Sequence, residues 1–499
     1  MDLINKKLET EEFEDHKKLY GKLSILSVLT EHIAIGTILA LGSTAIYLLS
    51  YLSYENENIS PSYLYFFTPF ITFGGATFSF LSGLLNRKYG PKITILIGNT
   101  ILMLNGIFLY FINKVFMCFF LFFFYGISFG ISMKIAGVNM VKYYFENKGF
   151  VMGLTGSINN ILSSFIISFA EKIVINPKSI NLKGERFYPK EIGINYYKFG
   201  LYSVIICGIF TIITLLLLKP YPKDLEKKDN LKFNPNDKEE NEKIIPLEEE
   251  KILLETSNDL SYLEGSFIGA EINLEYNNND DKNNEEDDKK SMKIYSQIKK
   301  ATSSFKFWRL FLINITHGPM QMLLRTTLRN IGTVDIYQNS ITTNLIQNVI
   351  QINPIITAIL NPIIGFLSDK FKFKYFLFFV NISYCVFGSL YPFILQKQIL
   401  VYFFLLFFNI PAAISLTTTP PHIMKVFGMK HYIEVSGVFG FSIIINTTVS
   451  SAFAYIIESF FKNNMEFGYK IMFVTAGILS FVSLILGLQE EDTPFDYKS

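Results

Sequence analysis

The stretch Gly83-Leu-Leu-Asn-Arg-Lys-Tyr-Gly-Pro-Lys92 joins two long apolar runs, and Gly365-Phe-Leu-Ser-Asp-Lys-Phe-Lys-Phe-Lys374 repeats this arrangement 282 residues later. In both places a short basic turn lies between two hydrophobic segments. A loop that recurs at a fixed distance indicates that the chain contains two related halves. The rest of the sequence is interpreted around this duplication.

Three further pairs of residues support the duplication. Phe145 and Phe427 are also 282 residues apart, and two glycine pairs, Gly153 with Gly437 and Gly156 with Gly440, are each 284 apart. Each pair occupies the same point in the order of the apolar runs. The sequence therefore predicts two homologous six-helix bundles.

The composition indicates an integral membrane protein. Half of the 499 residues are hydrophobic and only 18% are charged, which is far from the average of a soluble globular protein. The three cysteines, at positions 118, 207 and 385, lie inside apolar runs and share no metal-like spacing. No phosphate-binding loop or nucleophile and base pattern is present, so we expect no enzyme activity, cofactor, metal or nucleic-acid partner.

Twelve apolar runs are long enough to cross a bilayer. About 20 helical residues at 1.5 Å each span a hydrocarbon core of about 30 Å. We therefore predict an all-α polytopic membrane protein with 12 transmembrane helices in two pseudo-symmetric bundles, 23–218 and 305–489. The predicted spans are 23–52, 62–85, 93–113, 115–141, 149–173, 197–218, 306–330, 341–367, 374–395, 399–424, 432–459 and 467–488.

The linker between the halves, residues 219–304, is strongly acidic. Between Tyr221 and Lys300 there are 21 acidic and 13 basic residues, a local charge of −8. Such a segment buries too little apolar surface to offset the entropy of ordering, so we expect it to be mostly disordered. A solvated linker is the favoured interpretation, and a binding segment for a cytosolic partner is the alternative.

The basic loops predict the orientation in the membrane. Because loops rich in lysine and arginine stay on the cytoplasmic side, the tails 1–22 and 490–499 and the linker are predicted to be cytosolic. No removable signal peptide is expected at the start of the chain. The plasma membrane and an internal organelle membrane both remain open. The residues that carry this prediction are Arg87, Lys88, Lys92, Lys142, Lys148, Lys370, Lys372, Lys374, Lys425 and Lys430.

Two six-helix halves joined by a long hydrophilic linker resemble the major facilitator superfamily. The loop between the second and third helices of that superfamily usually reads Gly-x-x-x-Asp-Arg-x-Gly followed by Arg or Pro and a basic residue. This chain matches it with Gly83, Lys88, Gly90, Pro91 and Lys92. Arg87 stands where the aspartate is expected.

A narrower resemblance is to the monocarboxylate transporters and oxalate:formate antiporters. It rests on Leu85–Lys92, on the run Val141–Ser157 with its Tyr-Phe-x-x-Lys-Gly pattern, and on Phe307-Trp-Arg-Leu-Phe311. The tryptophan-rich signature of the first helix is absent. The cations that the family carries on its eighth and eleventh helices also have no counterpart.

The resemblance implies a central cavity lined by helices 1, 4, 7 and 10. The ionisable residues inside the predicted spans lie mostly on helices of this set. Charged groups within a span are costly and therefore candidates for function. Lys134, His317 and Arg325 are predicted to bind the substrate, and Glu31 and His32 to couple a proton. Glu31 lies about 12 Å and His317 about 15 Å from the inner helix ends. The alternatives are snorkelling of the cations toward the lipid headgroups, simple packing of the histidines, and structural pairing of Glu31 with His32 or Lys22.

The paired turns are predicted to govern conformational change. We expect Gly83, Gly90 and Gly365 to allow helix ends to approach closely. Arg87 and Asp369 are expected to form charged clamps across the cytosolic face.

Together these features predict a secondary active transporter that moves a small organic anion by alternating access, with proton coupling. The expected solute is a monocarboxylate, carboxylate vitamins included, and the other expected partner is the lipid bilayer. Two alternatives remain open. One is a facilitator for another small solute, such as an amino acid or a sugar, and the other is a non-transporting scaffold or sensor.

Overall fold

The computed structural model describes residues 2–55, 59, 63–175, 190–221, 295–331, 343–394, 398–461 and 464–495. These residues form long α-helices and contain no β-strand, which confirms the all-α prediction. The helices are α1 (Asp2–Glu55), α2 (Leu64–Phe108), α3 (Val115–Tyr143), α4 (Lys148–Ile175), α5 (Lys190–Leu217), α6 (Phe305–Ile331), α7 (Thr343–Lys370), α8 (Phe373–Ile394), α9 (Gln398–Phe427), α10 (Tyr432–Phe460) and α11 (Met465–Gly487).

The chain divides into two compact units. One consists of Met1–Pro220 and Gln297–Ser499, and the other is Tyr221–Ser296. The second unit lies almost wholly outside the described residues, and so does the expectation that the linker is disordered. The first unit holds all eleven helices named above.

Helix α2 contains two of the predicted spans. Gly90 interrupts it with φ of 80° and ψ of 171°, a left-handed conformation that favours glycine, and Pro91 restarts the helix, as proline at a first helical position commonly does. This turn divides α2 into the predicted second and third spans. By length and composition, seven helical segments of the described chain are apolar enough to cross a membrane.

Helix α1 begins earlier than the predicted first span. It starts at Asp2 and runs without interruption through residue 23, where the apolar run begins. The segment from Asp2 to Tyr20 contains neither glycine nor proline, so nothing in it breaks a helix. The hydropathy boundary at residue 22 is therefore not a boundary of secondary structure.

Each half of the chain has its own apolar core, and a third core is shared. Leu121 and Phe122 of α3 belong to the cluster of the first half, and Tyr384 of α8 belongs to that of the second half. The shared cluster brings Ile135 of α3 together with Phe439 of α10. The two halves thus form one packed unit.

The two halves meet along the helix pairs α4 with α7 and α2 with α10. A Cβ atom at Gly153 of α4 would lie 2.3 Å from the carbonyl oxygen of Asn361, and one at Gly437 of α10 would lie 2.5 Å from the backbone nitrogen of Phe80. Only glycine permits such close backbone approach. The repeated glycines therefore mark equivalent contacts between the halves.

Candidate functional site

Glu31 of α1 lies in a polar cluster that includes three other helices of the first half. Its side chain is fully buried, and Oε2 accepts a hydrogen bond from Nδ2 of Asn99 at 3.0 Å. The same Asn99 amide donates to Oγ1 of Thr211 at 3.0 Å. The hydroxyl of Ser132 is also close, but it donates to the carbonyl oxygen of Ser128 at 3.0 Å. The cluster is therefore inside the first bundle.

The other carboxyl oxygen of Glu31 has no hydrogen-bond partner in the described part of the chain. Oε1 is buried and unpaired, and no ion pair joins Glu31 to any residue that the structure describes. A buried ionised carboxylate without a compensating cation is strongly unfavourable. The surroundings of Glu31 therefore suit a carboxyl group that takes up a proton.

His32 and His317 each form a hydrogen bond to the backbone of their own helix, four residues earlier in the chain. His32 Nδ1 lies 2.7 Å from the carbonyl oxygen of Val28, and His317 Nδ1 lies 2.8 Å from that of Ile313. Because a carbonyl oxygen only accepts, each Nδ1 carries the hydrogen and each neutral ring presents Nε2 as an acceptor. Both rings have the same tautomer at related positions in the two halves.

The two histidines differ at Nε2. His317 Nε2 accepts from the hydroxyl of Ser415 at 3.1 Å, and its ring stacks on Tyr384 at 6.4 Å between centroids. His317 is thus engaged by α8 and α9 inside the second bundle. Nε2 of His32 is buried and has no hydrogen-bond partner among the residues that the structure describes, so of the two rings it is the one with an open position.

Lys134 connects the two halves. Its Nζ donates to Oγ of Ser436, which lies on α10 of the second half, at 3.4 Å. An ammonium group has three donors, and this bond is at the long end of the normal range. Within the part of the chain that the structure describes, Nζ has no other hydrogen-bond partner, so two N–H groups remain for a solute or for water at the junction between α3 and α10.

Arg325 lies within α6, but its side chain lies outside what the structure describes. Its predicted contact with the substrate stays a prediction. Of the predicted set, Glu31 lies inside the first bundle, His317 inside the second, and Lys134 at the boundary between them. The structure therefore does not gather the predicted residues around one point.

The first paired turn makes a charged contact between the halves. Arg87 Nε donates to the carboxylate of Glu434 on α10, and Arg87 Nη2 donates to the carbonyl oxygen of Lys430. The Glu434 side chain is 2% exposed and that of Arg87 is 25% exposed. Gly83 lies beside Glu434, where a Cβ atom would come within 2.8 Å of Cγ. Charge and close approach thus coincide here.

The second paired turn makes a different contact. The carboxylate of Asp369 accepts from the backbone N–H groups of Gly149 at 2.8 Å and Phe150 at 2.9 Å. These two N–H groups belong to the first turn of α4, where backbone N–H groups have no partner within their own helix. A Cβ atom at Gly365 would lie 2.2 Å from the carbonyl oxygen of Gly149. Asp369 therefore caps a helix of the opposite half.

Gly90 differs from the other two glycines of the turns. An added Cβ atom would meet nothing within 4 Å, so the expected close approach is wrong at this position. Its φ of 80° is the reason that glycine is needed there. Gly90 forms the turn between two spans instead of a contact between helices.

The sequence analysis missed the neutral and acidic partners of the predicted residues. Glu434, Ser436 and Asn99 were not singled out, although each contacts a predicted residue. Glu434 was detectable in principle, because an acidic residue at the start of a predicted span is unusual. Serine and asparagine are too common within spans to be recognised without coordinates.

Comparison with known proteins identifies the architecture. No family model and no curated protein matches the sequence. The proton:xylose symporter XylE bound to 6-bromo-6-deoxy-D-glucose aligns over 95% of both chains with 12% identity and a TM-score of 0.53. The human organic anion transporter MFSD10 aligns over 94% of this chain and 99% of its own, with 13% identity and a TM-score of 0.54.

The chain has the major facilitator fold. The nucleoside transporter NupG, at 9% identity over 92% of this chain and 99% of its own, gives a TM-score of 0.54. At these identities the likeness concerns the major facilitator fold alone. The resemblance to carboxylate transporters continues to rest on the sequence motifs.

Proposed function

We propose that this protein is a secondary transporter that moves a small organic anion by alternating access, with a proton as the coupled ion. The observation that carries the proposal is Lys134, which joins the two halves and keeps two donors available. A cation at the boundary between two moving bundles is placed to bind a carboxylate through charge-assisted hydrogen bonds. Its partner Ser436 is a neutral hydroxyl, so Lys134 can exchange this hydrogen bond for one to the solute without breaking an ion pair.

In this proposal Glu31 and His32 bind and release the coupled proton. Among the described residues, Oε1 of Glu31 has no hydrogen-bond partner and no cation pairs with the carboxyl group, so Glu31 has a place for a proton. His32 presents an unpaired Nε2, which becomes a donor when it is protonated. Arg325 keeps its proposed role as a second contact for the anion.

The clamps of Arg87 and Asp369 are proposed to hold the inner face closed. Here the inner face is the end of the unit that carries the predicted cytosolic loops. Both contacts join the halves and both lie at this end. Opening toward the inside therefore requires that the Arg87 ion pair and the Asp369 cap break together.

Uptake into proteoliposomes tests the proposal. The purified full chain is supplied with labelled monocarboxylates, a sugar and an amino acid, each with and without an inward proton gradient. We expect uptake of at least one monocarboxylate, stimulated by the gradient. Gradient-independent uptake of the sugar or amino acid alone would favour the facilitator, and no uptake of any solute would favour a scaffold or sensor.

A substitution separates proton coupling from solute binding. Glu31→Gln keeps a group that hydrogen-bonds to Asn99 but has no titrating proton. We expect this variant to exchange solute between the two sides and to lose stimulation by the gradient. The matched control is Glu146→Gln at an exposed glutamate, which we expect to retain both activities.

A further inference from the structure

A groove lies on the surface of the first bundle, between the part of α2 that follows Gly90 and the last turns of α5. Its volume is about 280 Å³. Apolar side chains of both helices form its walls, and one lysine lies among them. The lining residues are Lys92, Ile93, Leu96, Ile212, Leu215 and Leu216. Because both helices belong to predicted spans, the apolar part of the groove faces lipid.

The apolar walls of the groove are two ridges of exposed side chains. Ile93 and Leu96 of α2 are exposed, and so are Ile212 and Leu216 of α5. The residues of each pair are three or four positions apart, so they lie on one side of their helix. Leu215 also lines the groove and packs against the core shared by the two halves. The groove therefore has apolar walls and a supported base, which suit part of an acyl chain.

The inner end of α5 is fixed by contacts with α3. The backbone carbonyl oxygen of Lys219 accepts from Nδ2 of Asn139 at 2.8 Å and from the hydroxyl of Tyr143 at 3.2 Å. The carbonyl oxygen of Pro220 accepts from the same hydroxyl at 3.1 Å. These bonds use backbone atoms of the segment after α5, so the ammonium group of Lys219 takes no part in them. The chain therefore holds this end of the groove in place.

The inner end of the groove is positively charged. Lys92 lines it, and Lys219 follows directly after the end of α5. The segments 83–96 and 200–220 contain no acidic residue. Within the described part of the chain, no ion pair joins either lysine to a carboxylate. An anionic group at this end would therefore meet two cations and no competing carboxylate from these segments.

The second half places a carboxylate of its own at the equivalent corner. Lys374 corresponds to Lys92 at the repeat distance of 282 residues. Beside it, the backbone N–H of Phe373 donates at 3.3 Å to the carboxylate of Asp492, which follows α11. Helices α5 and α11 contain the last predicted span of their halves. In the second half the chain itself thus supplies an anion at this corner, and among the described residues the first half supplies none.

We propose that the groove between α2 and α5 binds a phospholipid with an anionic headgroup, with the headgroup at Lys92 and Lys219 and an acyl chain along the apolar walls. Anionic lipids are concentrated in the cytoplasmic leaflet, where basic pockets between spans bind their headgroups. Lys92 is among the residues that predict the cytoplasmic side, so the groove opens toward that leaflet. The site is separate from Lys134 and does not depend on the identity of the solute.

Native mass spectrometry of the purified full chain tests the headgroup contact. The protein in mild detergent is titrated with phosphatidylserine and, separately, with phosphatidylcholine that carries the same acyl chains. We expect the first phosphatidylserine to bind more tightly than the first phosphatidylcholine. Lys92→Gln should weaken phosphatidylserine binding about fivefold, the factor that one lysine contributes near an anionic membrane surface, and leave phosphatidylcholine binding unchanged. Lys374→Gln, at the equivalent lysine of the second half, should match the wild type with both lipids.

A second pair of variants tests the groove itself. Ile212→Trp fills the groove with a large apolar side chain, so it should weaken the first binding event for both lipids. Ile205→Trp, at an exposed position of the same helix outside the groove, should bind both lipids like the wild type. Glycerophosphoserine has the headgroup without acyl chains, and we expect that it does not displace the bound lipid.

Three outcomes would overturn the proposal. The first is equal affinity of the wild-type protein for the two lipids; if removal of residues 225–290 then created a preference, the acidic linker would be the occupant instead. The second is an undiminished preference for phosphatidylserine in a Lys92→Gln variant whose thermal unfolding matches the wild type. The third is displacement of the lipid by glycerophosphoserine, which would indicate a site for a soluble anion.

Discussion

The ion pair between Arg87 and Glu434 gives the sharpest prediction about gating. Replacing Arg87 by glutamate puts two carboxylates together at a place where Glu434 is 2% exposed. Breaking a fully buried ion pair costs about 3–5 kcal/mol. Because the Arg87 side chain is 25% exposed, we expect about 2–3 kcal/mol here. At 1.4 kcal/mol per factor of ten, the inner face should open about 30- to 150-fold more readily.

The assay is a distance measurement between spin labels on the two halves. Labels are attached to cysteines at the exposed positions 88 and 430, in a background that lacks Cys118, Cys207 and Cys385. We expect Arg87→Glu to increase the population with a long distance between the labels. The double variant Arg87→Glu with Glu434→Arg restores opposite charges, so it should return most of that population to the short distance.

Two outcomes would refute this reasoning. An Arg87→Glu variant with an unchanged distance distribution would show that the pair does not hold the inner face closed. A double variant as open as the single one would show that the effect comes from misfolding or from the other contacts of Arg87. The conservative variant Arg87→Lys keeps the charge and loses the forked geometry of the guanidinium group. We expect its population with a long distance between the labels to lie between those of the wild type and Arg87→Glu.

Three more predictions follow from contacts at the same interface. Asp369→Ala removes the cap of α4 and should favour opening of the inner face by about 1–2 kcal/mol. Spin labels at the exposed positions 147 and 370 measure this change. Asp369→Asn keeps a hydrogen-bond acceptor and should have a smaller effect. Gly153→Ala places a Cβ atom 2.3 Å from the carbonyl oxygen of Asn361 and should destabilise the folded protein by about 1–3 kcal/mol in thermal unfolding. In the control Gly208→Ala the nearest atom to the new Cβ is 3.5 Å away, so its thermal unfolding should match that of the wild type. Burial and the charge of Lys425 lower the pKa of Lys148 to about 8, so the charged form of this lysine is disfavoured in the folded state. The free energy of unfolding should therefore rise between about pH 8 and the ordinary lysine pKa near 10.4. Lys148→Met should lack this rise, and an identical rise in the variant would show that Lys148 is not its cause.

The sequence predicts the helices and the duplication well because both depend on local properties. Apolar length determined the spans, and the spacing of the glycines at 153 and 437 indicated the duplication. That these glycines lie where the halves touch was seen only in the structure. Hydropathy did not predict that α1 begins at Asp2, because helix formation and membrane insertion have different requirements. The positive φ of Gly90 was also mistaken for a packing requirement.

The partners of the predicted residues were harder to predict than the residues themselves. Arg87 and Glu434 are 347 positions apart, and Lys134 and Ser436 are 302 apart. Which side chains meet over such distances depends on how two bundles dock, and a single sequence contains no local signal for that. The contacts of the residues after α11 were missed for the same reason, because Glu490 and Asp492 resemble ordinary tail residues until they are seen beside Arg309 and His422.

The central claim is that an anionic solute binds at Lys134 between the halves. Its most direct test is uptake of the best labelled monocarboxylate by Lys134→Met, compared with Lys114→Met at the exposed N-cap of the same helix. The account predicts that Lys134→Met folds normally and loses nearly all uptake, while Lys114→Met transports like the wild type. Full uptake by a normally folded Lys134→Met variant would contradict it.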